Sequence, residues 1–355
     1  METHPPLDLA AGEDQVETVL RQFFEQAKDR AAKLGPAYLS LWQILENAAA
    51  GGKRLRPRIL LTSYLSLGGT DRDAAARVGA AFELLHTALI IHDDVIDLDF
   101  TRRGQENVSG IYRGLAAAAG VEERAARHRG LSAGVIAGDL ALAGAFRLLD
   151  RVAVGAEVRL RLADILDEAV FASAGGELID VDLSFQPGAP PIDEVLQMER
   201  LKTAVYSFEA PLQAGAVLAG APDDVVDVLG LYGRDIGIAY QVVDDLLGVF
   251  GTESTTGKSS FSDLREGKRT ALVSYAAGTP EWEELSALLG SPALTGPDAA
   301  RARELLNSCG ARNYARGLVL EYAERSRQHL QYPAIPPSLR AALSAVTDDA
   351  VNRGR

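Results

Sequence analysis

Apolar residues recur along most of this chain at intervals of three and four positions, and few stretches show the strict alternation of half-buried strands. This pattern predicts helices over residues 14–33, 37–50, 55–67, 72–97, 130–152, 156–178, 192–219, 223–250, 264–277, 297–308 and 312–330. The LGGTD stretch offers Thr70 or Asp71 as an N-cap for the fourth helix. No short repeat or low-complexity linker interrupts the pattern, which therefore predicts an all-α fold.

The domain organisation follows from the length and from the ends of this pattern. The chain has 355 residues, of which 47% are hydrophobic and 24% charged, as in a globular protein with a sizeable core. We expect residues 1–13 to form a disordered tail and residues 14–355 to form one helical domain of ten or more helices. The formal net charge of -13 argues against general binding to nucleic acid or to anionic lipid.

The cellular compartment is indicated by cysteine usage and by the absence of targeting segments. Cys309 is the only cysteine, which excludes an intramolecular disulfide and a thiolate metal cluster. The stretch METHPPLDLAAGEDQ has neither the basic nor the apolar region of a signal peptide. No uninterrupted apolar run reaches the roughly 20 residues that a spanning helix needs. We therefore expect a soluble, cytoplasmic protein without a membrane span.

The stretch IIHDDVID contains three acids at the end of an apolar helix. Asp93 and Asp97 are four residues apart and project from one face of that helix, with Asp94 at its edge. A solvated acidic helix end is one interpretation. If the face is enclosed, an unpaired carboxylate costs several kcal/mol, so the acids must be hydrated, neutralised or metal-bound. Ligands that are all oxygen favour a hard cation such as Mg²⁺.

A second acid pair favours the metal interpretation. Asp244 and Asp245 lie in QVVDDLLGVFG, where most of the neighbouring residues are apolar. Gly248 stands where the first motif has its third acid. Two such helices could face each other across a bundle, as acidic helices do in bundle metal sites.

Local clusters of cations accompany the acids in a chain that is acidic overall. The basic stretches are GGKRLRPR at a helix start, TRRG directly after the first acids, RLKTA, TTGKSS and EGKRT. A helix start with basic side chains and free N–H groups suits a diphosphate, although a solvated basic helix start is the simpler alternative. Metal-binding acids beside phosphate-binding cations together indicate diphosphate chemistry.

These motifs resemble those of the trans-isoprenyl diphosphate synthases, also called polyprenyl synthetases. GGKRLRP, ELLHTALIIHDDVIDLDFTRRG, GDLAL, LKTA, YQVVDDLLG and GKSSFSDLREGKRT follow the order and spacing of that family over roughly residues 40–275. The resemblance implies the isoprenoid synthase fold, a helical bundle around a central cavity, and a homodimer. It also implies Mg²⁺-dependent condensation of isopentenyl diphosphate with dimethylallyl, geranyl or farnesyl diphosphate.

The resemblance also implies roles for individual residues. Asp93 and Asp97 would bind two Mg²⁺ ions, with Asp94 orienting their waters, and Asp244 would bind a third ion with support from Asp245. The cations on the allylic diphosphate would be Arg102, Lys202, Lys258 and Lys268. The pocket for isopentenyl diphosphate would be formed by Lys53, Arg56, His86 and Arg103. The catalytic residues near the reacting carbons would be Lys202, Thr203 and Gln241.

Product length is predicted from the residues before the first acids. Bulky aromatic residues four or five positions upstream act as a floor in farnesyl-producing members of the family. Here those positions are Leu89 and Ala88, with Leu85 one turn deeper, which favours geranylgeranyl diphosphate (C20). Residues near Phe146 and Phe171 would also shape the cavity.

Three alternatives remain open on the sequence. The chain could make farnesyl diphosphate or a longer product, or it could be a non-catalytic partner subunit of a prenyl synthase. The three intact acids of the first motif argue against the partner subunit, and the GGKRLRP stretch argues against a terpene cyclase. Gly248 departs from the family pattern, so the second motif should work with two acids.

Overall fold

The computed structural model describes residues 9–186, 188–251, 262–291 and 293–353. The first helices are α1 Leu9–Ala32, α2 Pro36–Ala49, α3 Leu55–Ser66, α4 Arg72–Ile96, α5 Val108–Ala118, α6 Glu123–Asp150, α7 Ala156–Phe185 and α8 Ile192–Glu199. A π-helical segment, Arg200–Glu209, joins α8 to α9 Ala210–Leu218. The remaining helices are α10 Asp223–Phe250, α11 Ser262–Glu266, α12 Ala271–Ala276, α13 Trp282–Leu288, α14 Gly296–Ser308, α15 Ala311–His329 and α16 Pro337–Asn352.

The prediction of an all-α fold is confirmed, and some of the predicted boundaries are wrong. Helix α1 begins at Leu9, so the disorder predicted for residues 1–13 is wrong for 9–13, and residues 1–8 lie outside the described ranges. Helix α5 was not predicted, and α6 begins seven residues before the predicted start at 130. The first turns of α6 read ERAARHRG and are polar on almost every side, so they carry no apolar periodicity.

The described chain divides into two compact units. The first consists of Met1–Val170 and Ala210–Val226, and the second consists of Phe171–Glu209 and Asp227–Arg355. The prediction of one domain over 14–355 stays a prediction.

Helix α4 is the centre of the first unit. It packs against α1, α3 and α6 and buries Phe82, Leu84 and Leu85 completely. Its start is capped as the sequence predicted, because the side chain of Asp71 accepts a hydrogen bond of 3.0 Å from the backbone N–H of Ala74. The acids of the first motif lie at the opposite end of this helix, so a buried apolar helix fixes their position.

A short hairpin follows α4 and turns the chain back toward it. Strand β1, Thr101–Arg102, pairs antiparallel with β2, Gln105–Glu106. The turn between them, Arg103–Gly104, has positive φ at both residues, as the common two-residue hairpin turn requires. The pattern of the sequence did not predict this hairpin because each strand has only two residues.

In the second unit, α10 packs its apolar face into a core shared with α12 to α15. Val242, Val243 and Leu246 lie in that core on the helix that carries the second acid pair. Buried polar contacts fix α10 further: the Tyr232 hydroxyl donates a 2.7 Å hydrogen bond to the carbonyl of Leu343 in α16. The second acid pair is therefore also held on a well-packed helix.

Within the part of the chain that the structure describes, two helices are long and apolar enough to cross a membrane by composition alone. These are α4, where 78% of the apolar window is buried inside the protein, and α6, where 44% is buried. Helices that form the core of a water-soluble protein pass the same test, so this observation is weak evidence for a membrane span.

Candidate functional site

The hairpin that follows the first acid motif supplies a cation to two of its acids. Arg102 donates hydrogen bonds from Nε to Asp94 Oδ1 at 2.8 Å and from Nη2 to Asp93 Oδ2 at 2.9 Å. The Asp94 residue is only 3% exposed. Burial raises the pKa of Asp94 above its ordinary value, and the guanidinium of Arg102 opposes that shift. Arg102 therefore compensates two acids that would otherwise repel each other in a poorly hydrated position.

The third acid of the motif has a different environment. Asp97 caps the end of α4, donates its backbone N–H to the carbonyl of Asp93 at 2.9 Å, and is exposed. The Asp93 side chain is 19% exposed. The motif thus combines one buried acid with two acids that solvent or a ligand can reach.

A group of arginines surrounds His86, seven residues before Asp93 on α4. Burial lowers the pKa of His86 well below its ordinary value, and the nearby positive charges of Arg56, Arg102 and Arg103 lower it further. Arg103 also lies against Gly52, because a Cβ placed there would be 4.0 Å from its Nη1. The structure thus brings three residues predicted to bind isopentenyl diphosphate into one positively charged region.

The loop before α3 is anchored by Arg54, to which the sequence assigned no role. Its Nη1 donates to the backbone carbonyl of Ala49 at 2.8 Å and to Glu83 Oε1 at 3.0 Å, and its guanidinium also pairs with Glu17. Arg54 itself has φ of 46°, in the left-handed region. This anchor holds the loop in place next to α4, while the neighbouring Lys53 is exposed.

The second acid motif contains a buried carboxyl pair that the sequence did not reveal. Gln241 donates a 2.9 Å hydrogen bond to Asp245. Glu199, which is 1% exposed, lies next to Asp245, and the negative charge of Asp245 adds to the effect of burial on the pKa of Glu199. Burial raises the pKa of Asp245 to about 7 and raises the pKa of Glu199 well above its ordinary value. Asp245 is thus enclosed, whereas the Asp244 side chain is 38% exposed.

Gly248 has a structural explanation in this motif. A Cβ at this position would overlap the carboxylate of Asp263, a residue of α11 whose side chain is 14% exposed. The place of a third acid side chain is therefore filled by an acid from a later segment. Asp263 also raises the pKa of Asp245 through its negative charge, after the larger effect of burial.

Lys202 lies at the start of the π-helical segment and contacts two acids of α7. Its Nζ is 2.6 Å from Asp180 Oδ2 and 3.0 Å from Glu177 Oε2. Gly176 makes this approach possible, since a Cβ there would overlap the backbone of Lys202. π-helical turns occur frequently at functional sites. Thr203 follows in the same segment and is partly buried.

Two lysines, Lys258 and Lys268, are predicted to bind diphosphate after the second motif. Lys268 pairs with Glu266 at 3.2 Å and lies 4.0 Å from Asp263. Lys258 lies outside the described residues. The predicted roles of all these site residues stay predictions.

The donor set of the acid motifs fits Mg²⁺. Within the described ranges, no three His, Cys, Asp or Glu side chains converge as a complete metal site. Mg²⁺ keeps several waters and is usually held by one or two carboxylates together with substrate phosphate, so a complete protein cage is not required. Asp93, Asp97 and Asp244 are accessible oxygen donors of this kind.

Sequence reasoning found the motifs but not the residues that surround them. Glu199, Asp263 and Arg54 could not be assigned from spacing, because their partners are distant in the sequence. The acids of GGELIDVD, which include Glu177 and Asp180, are visible in the sequence as possible partners of the lysine in RLKTA.

Comparisons with known proteins agree with these features. A sequence model of the polyprenyl synthetase family matches residues 40–305. A geranylfarnesyl diphosphate synthase of Aeropyrum pernix is 34% identical over 309 residues, covering 86% of this chain and 91% of that protein. A geranylgeranyl diphosphate synthase of Sulfolobus acidocaldarius is 38% identical over 226 residues, covering 63% of this chain and 62% of that protein.

A solved structure extends the similarity to nearly the whole chain. The geranylgeranyl pyrophosphate synthase of Corynebacterium glutamicum, complexed with isoprenyl diphosphate and magnesium, superimposes with a TM-score of 0.91 at 31% identity. The match covers 98% of this chain and 100% of that one. The chain belongs to the polyprenyl synthetase family and has the isoprenoid synthase fold.

The environment of His86 predicts an acid-dependent loss of stability. Its pKa is lowered in the folded state, so folding keeps it neutral, whereas the unfolded chain protonates it below a pH of about 6.5. We expect the free energy of unfolding to fall by up to about 1.4 kcal/mol per pH unit below this value. His86→Gln should lose that part of the pH dependence in thermal unfolding between pH 7.5 and pH 5.5.

The control for this experiment is His128→Gln, which changes an exposed histidine of α6. It should keep the acid dependence of the unchanged protein. An identical pH dependence in the His86→Gln variant and the unchanged protein would contradict the described environment.

The close approach of Asp263 to Gly248 predicts that an aspartate at position 248 lowers the stability of the protein. Gly248→Asp forces Asp263 aside and adds a like charge in a partly buried place, which should cost about 1–3 kcal/mol. Gly248→Ala adds only the methyl group and should cost less. Urea unfolding measures both, and the double variant with Asp263→Ala should recover most of the loss. A Gly248→Asp variant as stable as the unchanged protein would contradict this contact.

Proposed function

We propose that this chain is a Mg²⁺-dependent short-chain trans-prenyltransferase that condenses isopentenyl diphosphate with an allylic diphosphate and makes mainly geranylgeranyl diphosphate (C20). The observation that supports it most is the arrangement on α4. Asp93 and Asp94, paired with Arg102, lie two turns after His86 and its surrounding arginines. A metal-binding end and a cationic region on one helix suit two diphosphate substrates.

In the proposed reaction, the protein must stabilise the departing diphosphate and protect the allylic cation from water. Three Mg²⁺ ions, held through Asp93, Asp97 and Asp244, would supply positive charge to the leaving group. Arg102 and Lys202 are positioned by acids and add donors that are fixed before the reaction begins. The double bond of isopentenyl diphosphate attacks the allylic cation, and a proton then leaves the new chain to the released diphosphate.

The isopentenyl diphosphate would bind in the cationic region around His86. Arg56 and Arg103 supply charge there, and the neutral imidazole offers a hydrogen bond without adding charge. The exposed Lys53 on the neighbouring loop can contribute a further ammonium group. Thr203 and Gln241 would lie near the reacting carbons.

Product length is assigned from the apolar residues of α4. Ala88, five residues before Asp93, is 1% exposed, and Leu85 is fully buried. The small side chain at 88 leaves room for a chain longer than C15. The relatives named above include a C20 and a C25 synthase, so a longer product is the nearest alternative.

The location and assembly belong to the same proposal. We place the enzyme in the cytoplasm, where both substrates are water-soluble diphosphates. We also propose a homodimer, because α6 exposes Val135 and Ile136 at 44% and 49% in a single chain.

Replacing one acid tests the proposed function. Asp93→Asn removes one charge from the first motif and leaves Arg102 paired with Asp94. We expect the rate of prenyl diphosphate formation with Mg²⁺ to fall at least about 100-fold, because charge stabilisation is a dominant part of catalysis. The readout is mass spectrometry of the products.

Asp167→Asn, which changes an exposed acid of α7, is the matched control and should keep full activity. Near-normal product formation by Asp93→Asn would exclude the proposed role. A complete lack of product from the unchanged protein would instead favour a non-catalytic partner subunit.

Enlarging residue 88 tests the product assignment. Ala88→Leu and Ala88→Phe fill the buried space before the acids progressively. We expect the main product to shorten, with farnesyl diphosphate (C15) made by the Phe variant. Overpacking should also lower stability by about 1–3 kcal/mol, so thermal unfolding is measured in parallel. An unchanged product distribution in folded Ala88→Phe protein would show that other residues set the length.

A further inference from the structure

We propose that Arg353 is a positioning residue that holds Asp244 and competes with a divalent cation for its carboxylate. This inference rests on the proposed function, in which Asp244 binds a metal ion. Arg353 lies outside the sequence motifs and follows α16, more than 100 residues after the second acid pair.

The backbone around Arg353 is fixed against the second unit. Its N–H donates to the carbonyl of Asp349 at 3.2 Å, which closes the last turn of α16. Val351 packs against the apolar core that includes Val243 and Val249 of α10. The end of α16 is therefore held next to the helix that carries the second acid motif.

The side chain of Arg353 lies along α10. Its guanidinium carbon is 4.3 Å from the centre of the Tyr240 ring, one turn before Asp244. Its Nη1 is 3.4 Å from Asp244 Oδ1, and Nη1 is shielded from solvent without a well-directed hydrogen bond. The stack on Tyr240 holds the guanidinium, and its contact with the Asp244 carboxylate is longer than an ordinary charge-assisted hydrogen bond.

With this geometry, a metal ion can replace Arg353 as the cation that contacts Asp244. Mg²⁺ binds carboxylate oxygen at about 2.0–2.1 Å, so an ion on Asp244 would come close to a guanidinium that carries the same sign of charge. The cation–π contact with Tyr240 gives the guanidinium a place that does not depend on Asp244. Arg353 thus compensates the charge of Asp244 before a metal ion binds, and its positive charge repels the ion when it binds.

The contact between Arg353 and Asp244 is longer than the contacts between Arg102 and the first motif. Arg102 makes short, directed bonds to Asp93 and Asp94 and is 23% exposed. Arg353 makes one long contact to an acid that is 38% exposed. The contacts of Arg102 with the first motif should therefore persist when metal binds, whereas the contact between Arg353 and Asp244 should be broken.

The test measures metal binding directly. Mn²⁺ takes the same oxygen ligands as Mg²⁺, and its free ion is counted by electron paramagnetic resonance. The Mn²⁺ binding that the Asp244→Asn variant loses is assigned to the Asp244 site. We expect Arg353→Gln to lower the Mn²⁺ dissociation constant of this site about two- to fivefold, the range for partly exposed ion pairs. Arg353→Met is a second neutral variant that keeps a long side chain beside Tyr240.

Two controls separate this effect from general changes. Arg327→Gln removes another arginine pair of the last two helices, with Asp348 at 2.6 Å, and should leave Mn²⁺ binding unchanged. Arg353→Lys keeps the charge and should stay close to the unchanged protein. Thermal unfolding confirms that each variant is folded.

Unchanged or weaker Mn²⁺ binding in both neutral variants of Arg353 would overturn the proposal. Weaker binding would mean that Arg353 supports the site instead of competing for it. The product assay is independent of these measurements. An unchanged protein that makes no prenyl diphosphate would refute the proposed function, whereas an active protein with unchanged Mn²⁺ binding in the neutral variants would refute this inference alone.

Discussion

Carboxylates at the end of a buried apolar helix must be compensated, and in α4 this is done by Arg102. The hairpin after α4 brings Arg102 back to Asp93 and Asp94, at 2.9 Å and 2.8 Å. Without this guanidinium, the buried Asp94 would be an uncompensated charge that costs several kcal/mol. The hairpin, the end of α4 and the accessible acids of the motif therefore depend on one ion pair.

The second motif is compensated by different means. Asp245 accepts a hydrogen bond from Gln241 and lies next to the buried Glu199, while Asp244 contacts Arg353. Asp263 fills the space beside Gly248. The helix α10 thus carries one enclosed acid and one accessible acid, and only the accessible acid is available to a ligand. Such a division suits a site in which one carboxylate binds a cation and the other stays in a fixed hydrogen-bonded network.

The sequence predicted the helical fold and both acid motifs because each depends on local spacing. Asp93 and Asp97 share a helix face wherever that helix forms, and Asp71 caps α4 through a contact three residues away. The contacts of Glu199, Asp263 and Arg353 join residues that are distant along the chain, so spacing gave no sign of them. The two-residue strands of the hairpin were too short to show any periodicity.

Gly248 illustrates how the structure changed an interpretation. The sequence predicts a second motif that lacks its third acid and works with two. In the structure the lack of a side chain at Gly248 makes room for the carboxylate of Asp263. The local negative charge is thus kept although the acid comes from another segment.

Mg²⁺-dependent prenyl transfer is the activity that we propose for the two acid motifs and for the apolar helix α4. The most direct measurement incubates the pure protein with isopentenyl diphosphate and each allylic starter, with and without Mg²⁺, and sizes the products by mass spectrometry. We expect prenyl diphosphate to form only with Mg²⁺ and to have mainly 20 carbons. No product from any starter would contradict this proposal.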